Sequence, residues 1–315
     1  MSGSNKAFSD PIRVGLVGIG KIAHDQHVPA LLADPRFVLA ATASRRGRID
    51  GVPGYHDIAE MLAGPDRIDA VSLCTPPGGR IDIARVAIDA GKAVMLEKPP
   101  ATTLAEAEAL VAAAQAAGVP LFATWHSREA AAVEEARAWL SDKTVRAARI
   151  IWAEDIRRWH PGQEWILDEG GFGVFDPGIN ALSIITRLLP ESFAVEQAEL
   201  TIPAGRACPI AATVALRSGA IPIAVELDFL RTGPQRWDIE IDTDQGPLRL
   251  SDGGATIAIG DEAPRTAPNR EYPRLYARFA ELLASGQADT DLAPLAIVEA
   301  ALTRGTIQKV AAFAF

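Results

Sequence analysis

The first part of the chain alternates short apolar runs with longer stretches in which apolar residues recur at helical spacing. Segments 12–17, 37–43, 69–75, 93–96 and 121–126 have the length and density of strands buried on both faces. Helical patterns fill the gaps, up to residue 32, over 81–90 and over 103–117, with Gly91 and Gly118 standing as helix ends. Pro76-Pro77 and Pro99-Pro100 stop the strands that precede them. Alternation of this kind predicts a doubly wound parallel α/β sheet whose strand ends share one crevice.

From about residue 145 the period changes. Segments 145–152, 200–202, 211–216, 221–229, 237–241, 248–250 and 256–259 are strand-like, and turn signals such as Arg217-Ser218-Gly219 and Asp252-Gly253-Gly254 separate some of them. This reads as an antiparallel, hairpin-rich sheet. Helices are expected at 174–189, 272–284 and 294–312. The domain boundary is placed near residue 127, giving a dinucleotide-binding domain at 1–127 and an α+β substrate domain at 128–315, with the last helix free to pack back on the first domain.

Composition narrows the class. Of 315 residues, 48% are hydrophobic and 23% charged, ordinary for a globular protein, and the net charge of -9 speaks against nucleic acid or an anionic membrane as partner. The two cysteines, Cys74 and Cys208, make neither a disulfide framework nor a metal-ligand set, so no metal is expected. No apolar run approaches a membrane span, and residues 1–11 lack a signal-peptide core, which makes the cytoplasm the expected location.

The chemistry begins at Gly18-Ile19-Gly20-Lys21-Ile22-Ala23, which joins the first strand to the first helix. G-x-G-x-x-A in that setting is a dinucleotide fingerprint. Gly18 permits the turn, Gly20 lets a pyrophosphate approach the backbone, and Ala23 keeps the helix close to the sheet. The second strand ends in Ser44-Arg45-Arg46 where an NAD-selective site carries an acid, so NADP is expected, with NAD also accepted. Glu97-Lys98-Pro99-Pro100 closes the strand at 93–96. Buried charges are costly unless paired, so a Glu-Lys pair here belongs to the crevice, and a cis bond to proline would hold the lysine in one direction.

The second domain carries Glu154, Trp159, His160, Gln163, Glu164 and Trp165 in one loop-like stretch. Rings mixed with hydrogen-bonding groups suit a sugar, and Trp237 is a second candidate stacking surface. In Gly170-Gly171-Phe172-Gly173-Val174-Phe175-Asp176-Pro177-Gly178-Ile179-Asn180, a spacing of four puts Asp176 and Asn180 on one helix face. Asp176-Pro177 also has the form of a helix cap with proline at the first helical position.

Together, Gly18-x-Gly20-x-x-Ala23, Glu97-Lys98-Pro99 and the Asp176…Asn180 segment resemble the glucose–fructose oxidoreductase/inositol dehydrogenase family over nearly the whole chain. The stretches beginning Gly15-Leu16-Val17, Thr124-Trp125-His126, Arg157-Arg158-Trp159 and Val174-Phe175-Asp176 look like its branch that oxidises D-galactose and L-arabinose. The resemblance implies a Rossmann domain, an open-faced, mostly antiparallel second sheet, homodimers paired through that face, and nicotinamide-linked oxidation of an aldose at C1 to the lactone. It implies nucleotide contacts at Gly18, Ile19, Gly20, Lys21, Ile22, Ser44, Arg45, Cys74, Thr75, Pro76, Glu97, Lys98 and His126. Sugar contacts are expected at Lys98, His126, Glu154, Trp159, His160, Asp176, Asn180 and Trp237, with Lys98, Asp176 and Asn180 catalytic. The wider family often has histidine where this chain has Asn180, which moves the base to Asp176, and glycine where it has Phe172. Another sugar or polyol substrate, a nucleotide-binding sensor without catalysis, and an oxidoreductase that retains its nucleotide are the alternatives.

Overall fold

The computed structural model describes residues 10–189 and 191–315. The chain divides into two compact units: one runs to His126 and takes back Tyr272–Leu292, and the other holds Ser127–Glu271 and Ala293–Phe315.

In the first unit the apolar runs become β1 (Ile12–Val17), β2 (Phe37–Ala43), β3 (Gly54–Tyr55), β4 (Ala70–Leu73), β5 (Ala93–Leu96) and β6 (Leu121–Ala123). They pair in parallel in the order β3-β2-β1-β4-β5-β6. The order reverses between β1 and β4, the switch point at which open α/β sheets take their ligands. Side chains of both faces are buried, which is why the strands read as continuous apolar runs. One face carries Val14, Leu16, Leu31 and Met95, and the other Val71, Leu73, Ile88 and Leu110.

The helix Glu271–Ser285 completes the first of these cores. Tyr272, Leu275, Tyr276 and Phe279 fall at i, i+3, i+4 and i+7 and are all buried in it. The element that returns to the first unit is therefore this penultimate helix. The last helix, Ala293–Arg304, stays in the second unit. It also ends earlier than the 294–312 expected, because Thr306-Ile307-Gln308-Lys309-Val310 is β-prone and forms a final strand.

The second unit is built on β7 (Val145–Ala153), β8 (Phe193–Pro203), β9 (Ala211–Ser218), β10 (Ile221–Asp228), β11 (Arg236–Thr243), β12 (Gly246–Ser251), β13 (Thr256–Ile259), β14 (Arg265–Thr266) and β15 (Thr306–Val310). Their order is β14-β13-β12-β11-β7-β10-β9-β8-β15, antiparallel except at β7–β10 and β8–β15. Period-two alternation is clean: Ile223, Val225 and Leu227 are buried, while Pro222, Ala224 and Glu226 between them are exposed. The exposed face also carries Thr213, Ala215 and the ion pair of Arg149 with Glu226 at 2.7 Å.

Candidate active site

The turn after β1 is shaped by its glycines. Gly18 has φ +89°, and a Cβ there would lie 2.8 Å from the backbone nitrogen of Thr75, so a side chain is excluded on both counts. At Gly20 a Cβ would meet nothing within 4 Å. That glycine faces open space, which lets a ligand come up to the backbone. Ala23 is fully buried against the sheet.

Beside this turn lies a cavity of about 610 Å³ lined by Gly18, Ile19, Gly20, Ser44, Arg45, Arg46, Cys74, Thr75 and Pro76, and also by His56, Asp57 and Ile58. It brings together most of the expected nucleotide contacts. Thr75 Oγ1 is buried there with no hydrogen-bond partner among the described residues, a polar atom left over for a bound group. Ser44 Oγ accepts from the backbone of Gly47 at 3.1 Å, holding the turn that carries the two arginines. A dinucleotide fits this donor set: bare backbone at Gly20, a hydroxyl at Thr75 and cations after β2. His56, Asp57 and Ile58 were not expected, since β3 and the helix Ile58–Ala63 are too short to give a periodic signal.

Not all the expected contacts line the cavity. Lys21 is exposed and ion-paired with Asp25, and Ile22 packs against the core. Glu97 is buried, with Oε1 accepting from His27 Nε2 at 2.9 Å and from the Tyr272 hydroxyl at 2.6 Å, and Oε2 accepting from the backbone N–H of Lys98 at 2.9 Å. His27 reaches Tyr276 through Nδ1 at 2.9 Å. Burial alone would lower the His27 pKa, but Cys74, Tyr276 and the Glu97 carboxylate together hold it well above the ordinary value. Burial likewise pushes the Glu97 carboxyl up, and the bonds and charge of His27 more than reverse this, so it stays ionised. The raised His27 pKa thus favours an imidazolium–carboxylate bond inside the first unit. His126 stacks on Tyr272 with ring centroids 5.7 Å apart, next to the same network. Lys98 itself is half-buried, and its bond to Pro99 is cis.

In the second unit, the helix Phe175–Leu188 has its N-cap two residues before the one suggested by sequence, Asp176. Val174 stands at its N-cap and Pro177 falls inside the first turn, where a missing N–H costs nothing. Asp176 is therefore a helical residue and not the cap. From Phe175 to Ile185 every side chain is buried except those of Asp176 and Asn180. A carboxylate and an amide are the only groups that stretch presents.

The loop after β7 forms a second constellation in the same unit. Glu154 is 5% exposed, accepts from His160 Nε2 at 2.8 Å and from Trp237 Nε1 at 2.7 Å, and so fixes both rings. Trp237 packs edge-on against Trp159, their centroids 5.0 Å apart, and Trp159 Nε1 donates to Gln235 at 3.2 Å. Trp159 remains exposed. Gln235, which joins the loop to β11, carried no signal in the sequence. Trp165 is also exposed, and Glu164 is taken up by an ion pair with Arg206 at 2.8 Å.

Residues 12–124 match the oxidoreductase family with an NAD-binding Rossmann fold, of the Gfo/Idh/MocA type. The chain is 41% identical to a galactose 1-dehydrogenase of Pseudomonas fluorescens, over 96% of this chain and 99% of that one. It superposes on the crystal structure of a D-galactose-1-dehydrogenase from Rhizobium etli with a TM-score of 0.93 and 48% identity, covering 97% and 98% of the two chains. A 3-ketoreductase of Actinomadura kijaniata has the same fold, with a TM-score of 0.84 at 21% identity over 95% of this chain and 99% of that one.

Proposed function

The chain belongs to the Gfo/Idh/MocA oxidoreductase family, and from that membership we propose that it oxidises C1 of an aldopyranose of galactose configuration to the lactone. The observation that carries the substrate class is the likeness, over nearly the full length of each chain, to the galactose 1-dehydrogenases of Pseudomonas fluorescens and Rhizobium etli.

A nicotinamide bound in the first unit would supply the acceptor for the C1 hydride. Asp176 takes the proton of the anomeric hydroxyl, since it is the carboxylate that the helix Phe175–Leu188 presents, and an amide at Asn180 cannot act as base. Lys98 is assigned to donate to the anomeric oxygen. Asn180 orients the same oxygen. Trp159, Trp237, His160 and Glu154 are assigned to the ring of the sugar and its hydroxyls, and His126 is a further candidate contact. Ser44, Arg45 and Arg46 favour a 2′-phosphate, so NADP is the preferred nucleotide and NAD is also used.

D-galactose and L-arabinose share the configuration at C2, C3 and C4, and L-arabinose lacks only C6. A pocket that reads those three hydroxyls accepts both, and D-fucose as well. D-glucose differs at C4 and would leave a buried polar group unpaired, a loss of about 1–3 kcal/mol. The test is kcat/KM for the four sugars under one condition with each nucleotide. D-glucose should fall clearly below the other three. If D-glucose leads, the galactose-configured pocket is wrong; if no aldose reduces either nucleotide, the dehydrogenase reading is wrong. We assign the enzyme to the cytoplasm, which suits its two free cysteines, and to a homodimer paired through the exposed face of the larger sheet.

A further inference from the structure

The backbone around Lys98 is held from two sides by buried charged groups. On one side Glu97 Oε2 accepts the N–H of Lys98 itself. On the other lies Arg80, the first residue of the helix Arg80–Asp89 and only 1% exposed. Its Nη1 donates to the carbonyls of Glu97 and Pro99, the residues on either side of Lys98. Its Nη2 donates to the carbonyl of Thr75, and Nε reaches that same oxygen at 3.1 Å.

A buried guanidinium is costly to desolvate. A mere strand stop would not require one. Its value lies in the planar fork of five donors, which can hold the end of β4 and the segment after β5 together. A lysine ammonium is a point charge on a flexible stem and cannot span both. The same fork links Thr75, in the wall of the nucleotide cavity, to the carbonyls of the two residues that flank Lys98.

We propose that Arg80 is a positioning residue for Lys98: by fixing the carbonyls of Glu97 and Pro99 it presents the Lys98 ammonium in one direction. It touches neither sugar nor nucleotide and acts through the backbone. The proposal rests on the aldose-oxidation reading for the use made of Lys98, but not for the geometry.

The test uses the full-length variants Arg80→Lys and Arg80→Gln. The kcat for the best aldose should fall roughly 10- to 100-fold, the scale on which a displacement of about 1 Å near a reacting group acts. The KM for the sugar should change far less than kcat. A second readout needs no turnover: the acetylation rate of the Lys98 amine by acetic anhydride, measured by mass spectrometry against Lys309 in the same sample. The ratio should change in both variants while the rate at Lys309 does not. Wild-type kcat with a wild-type labelling ratio in a folded variant overturns the proposal. If the glutamine variant does not fold, the lysine variant decides by the same criterion. If the wild type turns over no aldose, the functional reading fails, and the labelling ratio alone decides for Arg80.

Discussion

Asp176 shows how much hangs on one side chain. It is a carboxylate on a helix face that is otherwise sealed up to Asn180, so no neighbour on that face can replace it. Asp176→Ala should lower kcat about 10²–10⁴-fold, the usual contribution of a positioned base. Initial rates at saturating sugar measure this, and a near-normal kcat would pass the role to His160. At the other end of the chemistry, Arg45 lines the cavity after β2 beside Ser44. Arg45→Ala should raise the KM for NADP+ far more than that for NAD+, because only the former carries the 2′-phosphate. Equal effects on both would reject the assignment. Gly18, Gly20 and Asp176 could be read from the sequence because each stands at a fixed offset from a strong periodic signal. Arg80 could not: a charged residue at the start of a helix reads as solvated, and only the fold shows that it points inward.

At the scale of elements, the imidazolium–carboxylate bond ties three of them together: His27 from the helical turn after β1, Glu97 from the end of β5, and Tyr272 and Tyr276 from the helix Glu271–Ser285. The raised His27 pKa adds stability that is fully present below about 6.5, the unfolded value, and is lost as pH rises through the folded value. The depressed Glu97 pKa adds stability that is present above about 4.3 and is lost as pH falls through the folded value. His27→Gln should abolish the alkaline part of this dependence and cost about 3–5 kcal/mol near pH 6, the range for breaking a buried pair. Urea midpoints between pH 5 and 10 check it, and an unchanged alkaline slope would show that His27 is not charged. The elements themselves were largely visible as runs and periods. What stayed hidden was their partnership, because nothing local in 271–285 says that its tyrosines belong to a histidine some 250 positions earlier. The same blindness assigned 306–310 to a helix: its apolar residues suit either period, and only the edge offered by β8 makes it a strand.

For the whole molecule, the exposed face of the larger sheet carries small residues, among them Ala215 and Ala224, bordered by the Arg149–Glu226 pair. Light scattering behind a sizing column should give twice the chain mass at micromolar concentration. Ala224→Arg should shift that value toward the monomer while leaving nucleotide affinity unchanged; a monomeric wild type would reject the pairing. The division of the chain has another outcome, which concerns time. Tyr272–Leu292 belongs to the first unit although Ser127–Glu271, the larger part of the second, is translated in between. At roughly 5–20 residues per second, the ribosome delivers β6 many seconds before the helix that covers His27 and Glu97. A nascent chain released at residue 126 would expose that charged pair and the core face beneath it. It should therefore bind a hydrophobic dye and be cut by protease, whereas the same fragment with 271–292 supplied in trans should regain protection. Synthesis of the nucleotide unit begins first and ends almost last, so its apolar core face stays uncovered for most of translation.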